Sequence, residues 1–356
     1  MHGSNIDEEK QKAFAEKLLE DFSGTYMTLL CCIGDRLGLF KDLATNGPAT
    51  SEDFAERRGI DARYSAEWLK ALFCAGYLEY DAATSEFSLS PEHASFLADE
   101  DGPMFFGGKY QYFQSHLRNF DKITDAFLRG GGVPMHEFHE DMWNGMERST
   151  RTAFDNQLVQ AWIPAVPEVK IALESGISVA DVGCGRGRAL IVLAQAFPNS
   201  RFVGYDEFGS TIEMAKQKTV RAGVSERVTF RQLDVVKGLP EKYDLILTFD
   251  VIHDAVDPKS TLRAIRAALN PGGTYLMLED DPKEKLADDK GARGALSYGT
   301  SIFYCMTTSL ANGGEGLGTM GLPESKLRAY CWQAGFSSVR RLPVVVSPDA
   351  LYELKI

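Results

Sequence analysis

The spacing of apolar residues along the first hundred positions predicts short helices followed by a β-hairpin. Residues 9–30 carry apolar side chains at helical intervals, and further helices are predicted in TSEDFAERRG, capped by Thr50 or Ser51, and in DARYSAEWLKALFCAGY. The segment YLEYDAATSEFSLS reads as two alternating strands around a polar turn. These elements predict a winged helix over residues 1–100. The first helix carries an apolar stripe through Phe14, Leu18, Leu19, Phe22 and Tyr26, and the third helix is expected to pack through Trp68, Leu69, Leu72 and Phe73.

The pattern changes in the second half of the chain, where short apolar runs alternate with helical stretches. The strand-like runs are ISVADVG, RFVGYD, VTFRQLD, YDLILTFDV and TYLMLED, and LNPGG is expected to be the turn into the last of them. Such alternation predicts a parallel sheet with helices on both faces. VRRLPVVVS and ALYELKI predict two final strands joined by a Pro-Asp turn.

Together these patterns predict an α/β fold with an N-terminal, mainly helical winged-helix domain. Residues 171–356 are predicted to form a doubly wound, mostly parallel, seven-stranded Rossmann-like sheet. The aromatic-rich residues 101–170 between the two are predicted to be a helical connector. Its aromatic side chains are explained either as ordinary core or as the roof of a pocket in the second domain.

Charge argues against a nucleic-acid partner, although winged helices often bind DNA. The chain has 50 acidic and 38 basic residues, a formal charge of -12, which repels phosphate backbones and anionic lipid. A dimerisation module, and hence a homodimer, is the favoured interpretation of the first domain. The charged side chains of the third helix and the wing are Asp61, Arg63, Glu67, Lys70, Glu79, Asp81 and Glu86.

Cysteine usage and the apolar runs predict a soluble, cytoplasmic protein with no membrane contact. The 6 cysteines form no CxxC pair and are expected to be reduced and mostly buried. The N-terminal MHGSNIDEEK has no signal-peptide pattern, and no apolar run is long enough to cross a bilayer.

The strongest chemical signal is Asp181-Val-Gly-Cys-Gly-Arg-Gly187, between a predicted strand and a predicted helix. Glycines at 183, 185 and 187 allow a tight turn and close approach to a ligand. A dinucleotide-binding fingerprint would place its third glycine at 188, where this chain has Arg188. The D-x-G-x-G-x-G pattern instead resembles the first motif of class I S-adenosylmethionine-dependent methyltransferases.

Acids after the next two strands strengthen this resemblance. Asp206 and Asp234 are expected to end successive strands, and ligands bind at the carboxyl edge of such sheets. Each acid alone is also explained as a helix cap. The resemblance implies that Asp206 holds the ribose hydroxyls of S-adenosylmethionine and that Asp234 lies near the adenine amino group. The full set predicted to bind this cofactor is Asp181, Gly183, Gly185, Gly187, Asp206, Asp234, Val235, Phe249 and Asp250.

His253 is the candidate general base. It follows the fourth strand in FDVIHDAVDP, before a helix that Asp257 and Pro258 begin, and a neutral imidazole accepts a proton from a phenol. VIHDAVDP resembles the I-x-H-D-x-x-D segment of winged-helix small-molecule O-methyltransferases, both plant-type and bacterial natural-product members, with Ala255 where they often have Trp. The resemblance implies that His253 is the base and that Glu279 and Glu315 flank it. Asp254 completes the predicted catalytic set.

The acceptor is predicted to be a small, aromatic or otherwise apolar molecule with a hydroxyl group. Residues 298–310 should form a helix whose Phe303, Tyr304 and Met306 make an apolar wall, with ordinary core as the alternative. The charged stretch 281–297 is longer than in the resembling proteins, which suggests a flap.

Two other functions stay open. Some relatives of this architecture methylate the carbon of 2-keto acids with a bound iron, for which His253 and Asp254 are possible ligands. A second candidate ligand face lies in MHEFHED, but no third ligand is placed beside His253, and no metal is predicted. The other alternative is a donor-binding transcriptional regulator without turnover. The residues of the second face are His136, Glu137, His139, Glu140 and Asp141.

Overall fold

The structure, a computed structural model, describes residues 6–344 and 348–356 and contains two compact units. One comprises the chain up to Gln114 together with Glu140–Thr152, and the other comprises Ser115–His139 together with the chain from Ala153 onward. The segment predicted as a connector over residues 101–170 is therefore divided between the two units.

The first unit contains the predicted helices and hairpin. Its core includes Trp68, Leu69 and Leu72, and the indole N–H of Trp68 donates to the Leu30 carbonyl at 2.9 Å. The elements of this unit are α1 (Glu8–Leu37), α2 (Leu39–Asn46), α3 (Ser51–Arg58), α4 (Ala62–Cys74), β1 (Glu79–Asp81), β2 (Glu86–Ser88), α5 (Pro91–Leu97) and most of α6 (Gly107–Arg118) and α8 (Glu140–Ala153).

A buried ion pair ties α8 to α1 and explains why Glu140–Thr152 belongs to this unit. The guanidinium of Arg148 binds both carboxylate oxygens of Asp35, at 2.8 and 2.9 Å, and also contacts Glu100 at 3.0 Å. A two-pronged arginine–carboxylate contact of this kind fixes orientation as well as distance.

One expectation about packing needs correction in this unit. Phe73 is 42% exposed, because it lies in the last turn of α4 and contacts Tyr80 of the wing, itself 39% exposed. The apolar stripe of α1 is largely uncovered within the chain, with Leu19 72% and Phe22 67% exposed.

The second unit is built on the predicted seven-stranded sheet. The strands follow the order β5-β4-β3-β6-β7-β9-β8; the first five are parallel, and β9 pairs antiparallel with both β7 and β8, so that β9 alone among these seven strands runs in the opposite direction. Because helices cover both faces, the central strands are apolar almost throughout. The strands are β3 (Ser178–Val182), β4 (Arg201–Asp206), β5 (Val228–Gln232), β6 (Tyr243–Phe249), β7 (Leu269–Asp280), β8 (Ser338–Arg341) and β9 (Asp349–Lys355).

The fold class predicted from the sequence is confirmed. The chain order reverses between β3 and its neighbours β4 and β6, which places a ligand crevice at the carboxyl ends of these strands. The helices of this unit are α7 (Phe120–Arg129), α9 (Pro167–Ser175), α10 (Arg188–Ala196), α11 (Gly209–Arg221), α12 (Pro258–Ala267), α13 (Ala292–Thr300), α14 (Met306–Ala311) and α15 (Glu324–Ala334), with π-helical turns at Phe154–Trp162 and Ser301–Cys305.

Several element boundaries differ from the predictions. The LNPGG segment falls within β7, but only its Leu269 pairs with β6; the ladder is interrupted over residues 270–273, where Gly272 has a φ of 79°, and pairing resumes at Thr274. The stretch 281–297 contains a 3₁₀ turn, Leu286–Asp289, and the first part of α13, and Asp281 pairs with Arg341 at 2.8 Å. Of the predicted strand VRRLPVVVS only the part within β8 forms a strand, and residues 345–347 lie outside the described residues.

Within the described ranges, no helix combines the length and apolarity needed to cross a membrane. The cysteines are free; Cys74 is exposed and the others are buried.

Candidate active site

The glycine-rich loop after β3 combines two packing glycines with one that faces open space. All three have positive φ: 72° at Gly183, 51° at Gly185 and 77° at Gly187, a region that side chains disfavour. A Cβ at Gly187 would lie 2.4 Å from the Phe230 ring, and one at Gly183 would lie 2.6 Å from the Val251 side chain. A Cβ at Gly185 would meet no atom within 4 Å. The middle glycine therefore leaves the loop backbone open to a ligand.

Two buried acids support this loop. Asp206, at the end of β4, accepts the Gly185 N–H at 3.0 Å on one oxygen and the Phe208 N–H at 3.0 Å on the other. Burial raises the pKa of Asp206. Asp181 is 1% exposed, and its Oδ1 has no hydrogen-bond partner among the described residues. Burial, followed by the nearby charge of Asp206, raises the pKa of Asp181.

The other residues predicted to bind the cofactor lie around the same edge of the sheet. Asp234 does not end β5, as expected, but lies two residues beyond it and caps a 3₁₀ turn, Val235–Lys237, by accepting the Val236 N–H at 3.1 Å. Val235 is half-buried in that turn. The ring of Phe249 packs against aromatic side chains, namely Phe154 at 5.0 Å and Trp162 at 5.9 Å.

Asp250 is held in an unfavourable backbone conformation at the end of β6. Its φ is 56°, and its Oδ1 has no hydrogen-bond partner among the described residues. Burial and the neighbouring carboxylates of Asp349 and Asp280 raise its pKa well above the ordinary value. Such strain is retained where the surrounding structure over-determines it, which is common at functional sites.

Glu279 fixes the loop that carries His253. Its side chain, 0% exposed, accepts the backbone N–H groups of Val251 at 3.2 Å, Ile252 at 2.7 Å and His253 at 3.3 Å. The same carboxylate lies 2.7 Å from Nδ1 of His253. Because an ionised carboxylate only accepts hydrogen bonds, Nδ1 carries the proton and Nε2 is left to react. Glu279 therefore orients both the backbone and the ring of His253.

The Nε2 side of His253 faces two further acids and a thiol. Asp254 Oδ1 lies 3.3 Å from Nε2, Asp280 Oδ2 lies 3.6 Å from it, and the Cys305 side chain is within hydrogen-bonding reach. Burial alone would lower the pKa of His253, but the charges of Asp254 and Glu279 outweigh it and raise the pKa well above 6.5. Burial raises the pKa of Cys305 to about 12, so its thiol stays protonated.

Glu315 is not brought to His253, contrary to the expectation. Its carboxylate binds the Tyr330 hydroxyl and the Lys326 ammonium. The glycine-rich loop that contains Glu315 contacts the His253 segment through its backbone, since the Gly318 N–H donates to the His253 carbonyl at 3.2 Å. At Gly318, φ is 63° and a Cβ would lie 2.1 Å from the Ser301 hydroxyl. The glycines of this loop therefore let it lie against the His253 segment.

Two residues of the predicted acceptor wall, Phe303 and Tyr304, lie on one π-helical turn, Ser301–Cys305, and the third, Met306, begins α14. Such turns occur frequently at functional sites. Tyr304 is 4% exposed, and its ring meets Phe138 edge-on at 5.4 Å. Burial, followed by the charge of Asp254, raises the pKa of Tyr304 well above the ordinary value. Phe303 stacks on His116 at 6.0 Å, and Met306 is half-buried against Gly318.

Candidate cation ligands meet only around His253 in the described part of the chain. Two groups have ligand atoms within 4.8 Å of one another: His253, Asp254 and Cys305, and Asp250, His253 and Asp280. The MHEFHED face does not appear in such a group. Its carboxylates are used in ion pairs, Glu137 with Lys122 at 2.8 Å and Asp141 with Arg36 at 3.2 Å.

Sequence reasoning missed Asp280, Cys305 and the Arg188–Asp155 pair. Asp280 directly follows Glu279 at the end of β7, so a second acid at the strand end was a usable signal. Cys305 comes from a π-helical turn whose phase the regular helical period does not predict. Arg188 begins α10 after the glycine loop and binds Asp155 at 2.6 Å across a sequence separation of 33.

Comparisons with known families and curated proteins give partial matches. Residues 173–303 match a family described as "Methyltransferase domain", and residues 25–99 match an "Rv2258c-like winged HTH domain". The ubiquinone biosynthesis O-methyltransferase of Pseudomonas savastanoi pv. phaseolicola is 30% identical over 128 residues, which is 35% of this chain and 53% of that protein. The N,N-dimethyltransferase OxyT of Streptomyces rimosus is 25% identical over 71% of this chain and 75% of its own. This chain spans only 23% to 53% of the length of the first four curated relatives that it matches.

Solved structures share the fold over the whole chain. Human N-acetylserotonin methyltransferase in complex with SAM superimposes with a TM-score of 0.73 at 18% identity, covering 99% of both chains. At this identity the similarity establishes the fold alone.

We predict that the loop glycines differ in their tolerance of a side chain. Gly185→Ala should lower the free energy of unfolding by about 1 kcal/mol, the cost of a left-handed backbone at a non-glycine residue. Gly187→Ala carries the same strain and also forces a methyl group into the Phe230 ring, so we expect a loss of about 3 kcal/mol. Urea unfolding of both variants measures the difference; equal losses would show that the loop is not packed as described.

Proposed function

We propose that this chain transfers a methyl group from S-adenosylmethionine to a hydroxyl group of a small aromatic acceptor. Its sequence matches a winged helix-turn-helix domain followed by a methyltransferase domain. The observation that carries the proposal is the pairing of Glu279 with Nδ1 of His253 at 2.7 Å beside the open glycine loop. A donor site and an oriented base at one sheet edge are what methylation of a hydroxyl requires.

The residues at the crevice suit this donor. Open space at Gly185 admits a ligand against the loop backbone, and the Asp206 carboxylate keeps lone pairs available for ribose hydroxyls. The unpartnered Oδ1 of Asp181 offers a further buried acceptor beside the loop. Negative charge here favours a sulfonium cation. When bound, S-adenosylmethionine supplies an activated methyl group with a neutral leaving group.

The chain's own residues then have to hold the acceptor in line and remove its proton. In the proposed step the acceptor oxygen forms its bond to the methyl carbon as the carbon–sulfur bond breaks, and Nε2 of His253 takes the hydroxyl proton. Glu279 stabilises the resulting imidazolium through Nδ1. Phe303 and Tyr304 are proposed to hold the acceptor ring, and Met306 to close the wall beside Gly318.

The raised pKa of His253 sets the pH dependence of this step. The groups around the ring are Asp250, Asp254, Glu279, Asp280 and Cys305, and the charges of Asp254 and Glu279 favour the imidazolium form. Only the neutral ring accepts a proton, so turnover should rise with pH through the raised pKa of His253. A sulfonium cation in the crevice opposes the imidazolium and lowers that value in the complex.

We predict that His253→Ala abolishes turnover while leaving donor binding intact. General-base catalysis contributes about 10²- to 10⁴-fold, so S-adenosylhomocysteine formation from a phenolic acceptor should fall by about that factor. The measurement covers phenols, catechols, amines and 2-keto acids, with and without added iron, and calorimetric binding of S-adenosylhomocysteine. His93→Ala is the matched control, because His93 is a histidine of the first unit whose ring contacts the Tyr77 carbonyl.

Other outcomes of this experiment separate the alternatives. Iron-dependent turnover on a 2-keto acid would make His253, Asp254 and Cys305 metal ligands rather than a base and its neighbours. Turnover on amines that survives in His253→Ala would indicate N-methylation. Donor binding without turnover on any acceptor would favour a regulator.

The proposal includes a homodimer through the exposed face of α1. Phe14, Leu19 and Phe22 are 60%, 72% and 67% exposed within the chain, and exposed apolar area of this kind marks an interaction surface. Light scattering should give twice the chain mass of 39.3 kDa, and a Leu19→Lys, Phe22→Glu variant should give the monomer mass. A monomeric wild type would contradict this part of the proposal.

A further inference from the structure

Two buried polar side chains at the end of α6 have no protein partner. Ser115 is 0% exposed and Asn119 is 2% exposed, and neither Ser115 Oγ nor Asn119 Nδ2 has a hydrogen-bond partner among the described residues. Leaving a buried donor or acceptor unsatisfied costs about 1–3 kcal/mol. Retaining two such groups within one helical turn indicates that something else satisfies them.

Both side chains lie on the helix face that meets the acceptor wall. Ser115 and Asn119 are four residues apart, about 40° in helical projection, and His116 lies about 60° beyond Asn119, so the three side chains share one side of the chain at the end of α6. The ring of His116 stacks on Phe303 at 6.0 Å and 25°. The face that bears the two unpartnered groups is therefore the face directed at the π-helical turn Ser301–Cys305.

The other end of that π-helical turn lies beside His253, the proposed base. The Sγ atom of Cys305 lies within 4.8 Å of a ring nitrogen of His253. Two residues earlier in the same turn, Phe303 stacks on His116, which lies beside the unpartnered polar pair in the chain. A flat molecule lying along Phe303 with its reacting hydroxyl at His253 would direct its far edge toward Ser115 and Asn119.

We propose that Ser115 Oγ and Asn119 Nδ2 together bind a carbonyl oxygen on the far edge of the acceptor. This inference rests on the proposed function and names the acceptor class, an aromatic hydroxyl compound with a ketone, quinone or amide carbonyl remote from the methylated hydroxyl. A hydroxyl and an amide NH₂ both donate, and a carbonyl oxygen has two lone pairs to accept them.

The surroundings favour a neutral carbonyl over a carboxylate. His116 is 4% exposed, and burial lowers its pKa to about 4, so its ring is neutral at pH 7. It therefore supplies no positive charge to balance a buried carboxylate, whose burial without a counter-charge is unfavourable.

The experiment compares probes that match in shape and differ in the carbonyl. 4-Hydroxyacetophenone is paired with 4-isopropylphenol, and 6-acetyl-2-naphthol with 6-isopropyl-2-naphthol. Affinity is measured calorimetrically in the presence of S-adenosylhomocysteine, and KM by S-adenosylhomocysteine formation. We expect wild type to bind one of the carbonyl probes about tenfold or more tightly than its partner, the effect of about 1.4 kcal/mol of hydrogen bonding. The Ser115→Ala, Asn119→Leu variant should lose this preference through weaker binding and a raised KM of the carbonyl probe, with donor affinity retained.

A matched control separates binding from folding. Ser200 is also 0% exposed, but its hydroxyl donates to the Leu173 carbonyl and accepts the Ile177 N–H. Ser200→Ala should lower the unfolding midpoint and leave the carbonyl preference unchanged. Ser115→Ala, which removes an unsatisfied group, should keep or raise the midpoint. A lower midpoint in Ser115→Ala with an unchanged preference would mean that the hydroxyl holds a structural water, and the inference would fail.

Failure of this inference and failure of the proposed function give different results. If the variant turns over the carbonyl and carbonyl-free probes with unchanged KM values, the polar pair does not bind the acceptor, while O-methylation stands. If wild type binds the carbonyl probe with the expected preference but forms no S-adenosylhomocysteine, the proposed chemistry fails and the binding site stands. Equal binding of both probes by wild type overturns the inference directly.

Discussion

The arrangement of this active site depends on one buried carboxylate. Glu279 lies at the end of β7. Its carboxylate accepts hydrogen bonds from three successive backbone N–H groups, from Val251 to His253, and contacts Nδ1 of the His253 ring. An uncompensated buried charge is very unfavourable, so these contacts both satisfy Glu279 and hold the loop after β6 in one conformation. The strained backbone at Asp250 and the orientation of the imidazole follow from that conformation.

The same sheet edge concentrates negative charge that the protein alone leaves incompletely balanced. Burial raises the pKa values of Asp181, Asp206 and Asp250, and oxygens of Asp181 and Asp250 lack hydrogen-bond partners within the described residues. A cationic methyl donor would relieve this repulsion, since opposite charges attract strongly in a site shielded from water.

Most of the fold could be predicted from the sequence, because strand–helix alternation and glycine spacing are local signals. Asp181, the loop glycines, Asp206, His253 and Glu279 lie at strand ends, where register alone brings them together. Glu315 could not be placed, since its partners Tyr330 and Lys326 come from a separate helix. Cys305 and the Ser115–Asn119 pair were equally out of reach, because a π-helical turn shifts the helical phase and hydrogen-bond satisfaction is a property of tertiary packing.

An NMR titration of the histidine ring nitrogens tests the central claim, that Glu279 holds the Nδ1 proton of His253 and leaves Nε2 as the basic atom. His253→Gln would identify the signal among the 6 histidines. The structure predicts that the pKa of His253 lies well above 6.5. At pH values above that raised pKa, Nδ1 should keep its proton while Nε2 loses it. A pKa at or below 6.5, or a neutral ring protonated on Nε2, would contradict the role assigned to Glu279 and with it the proposed base.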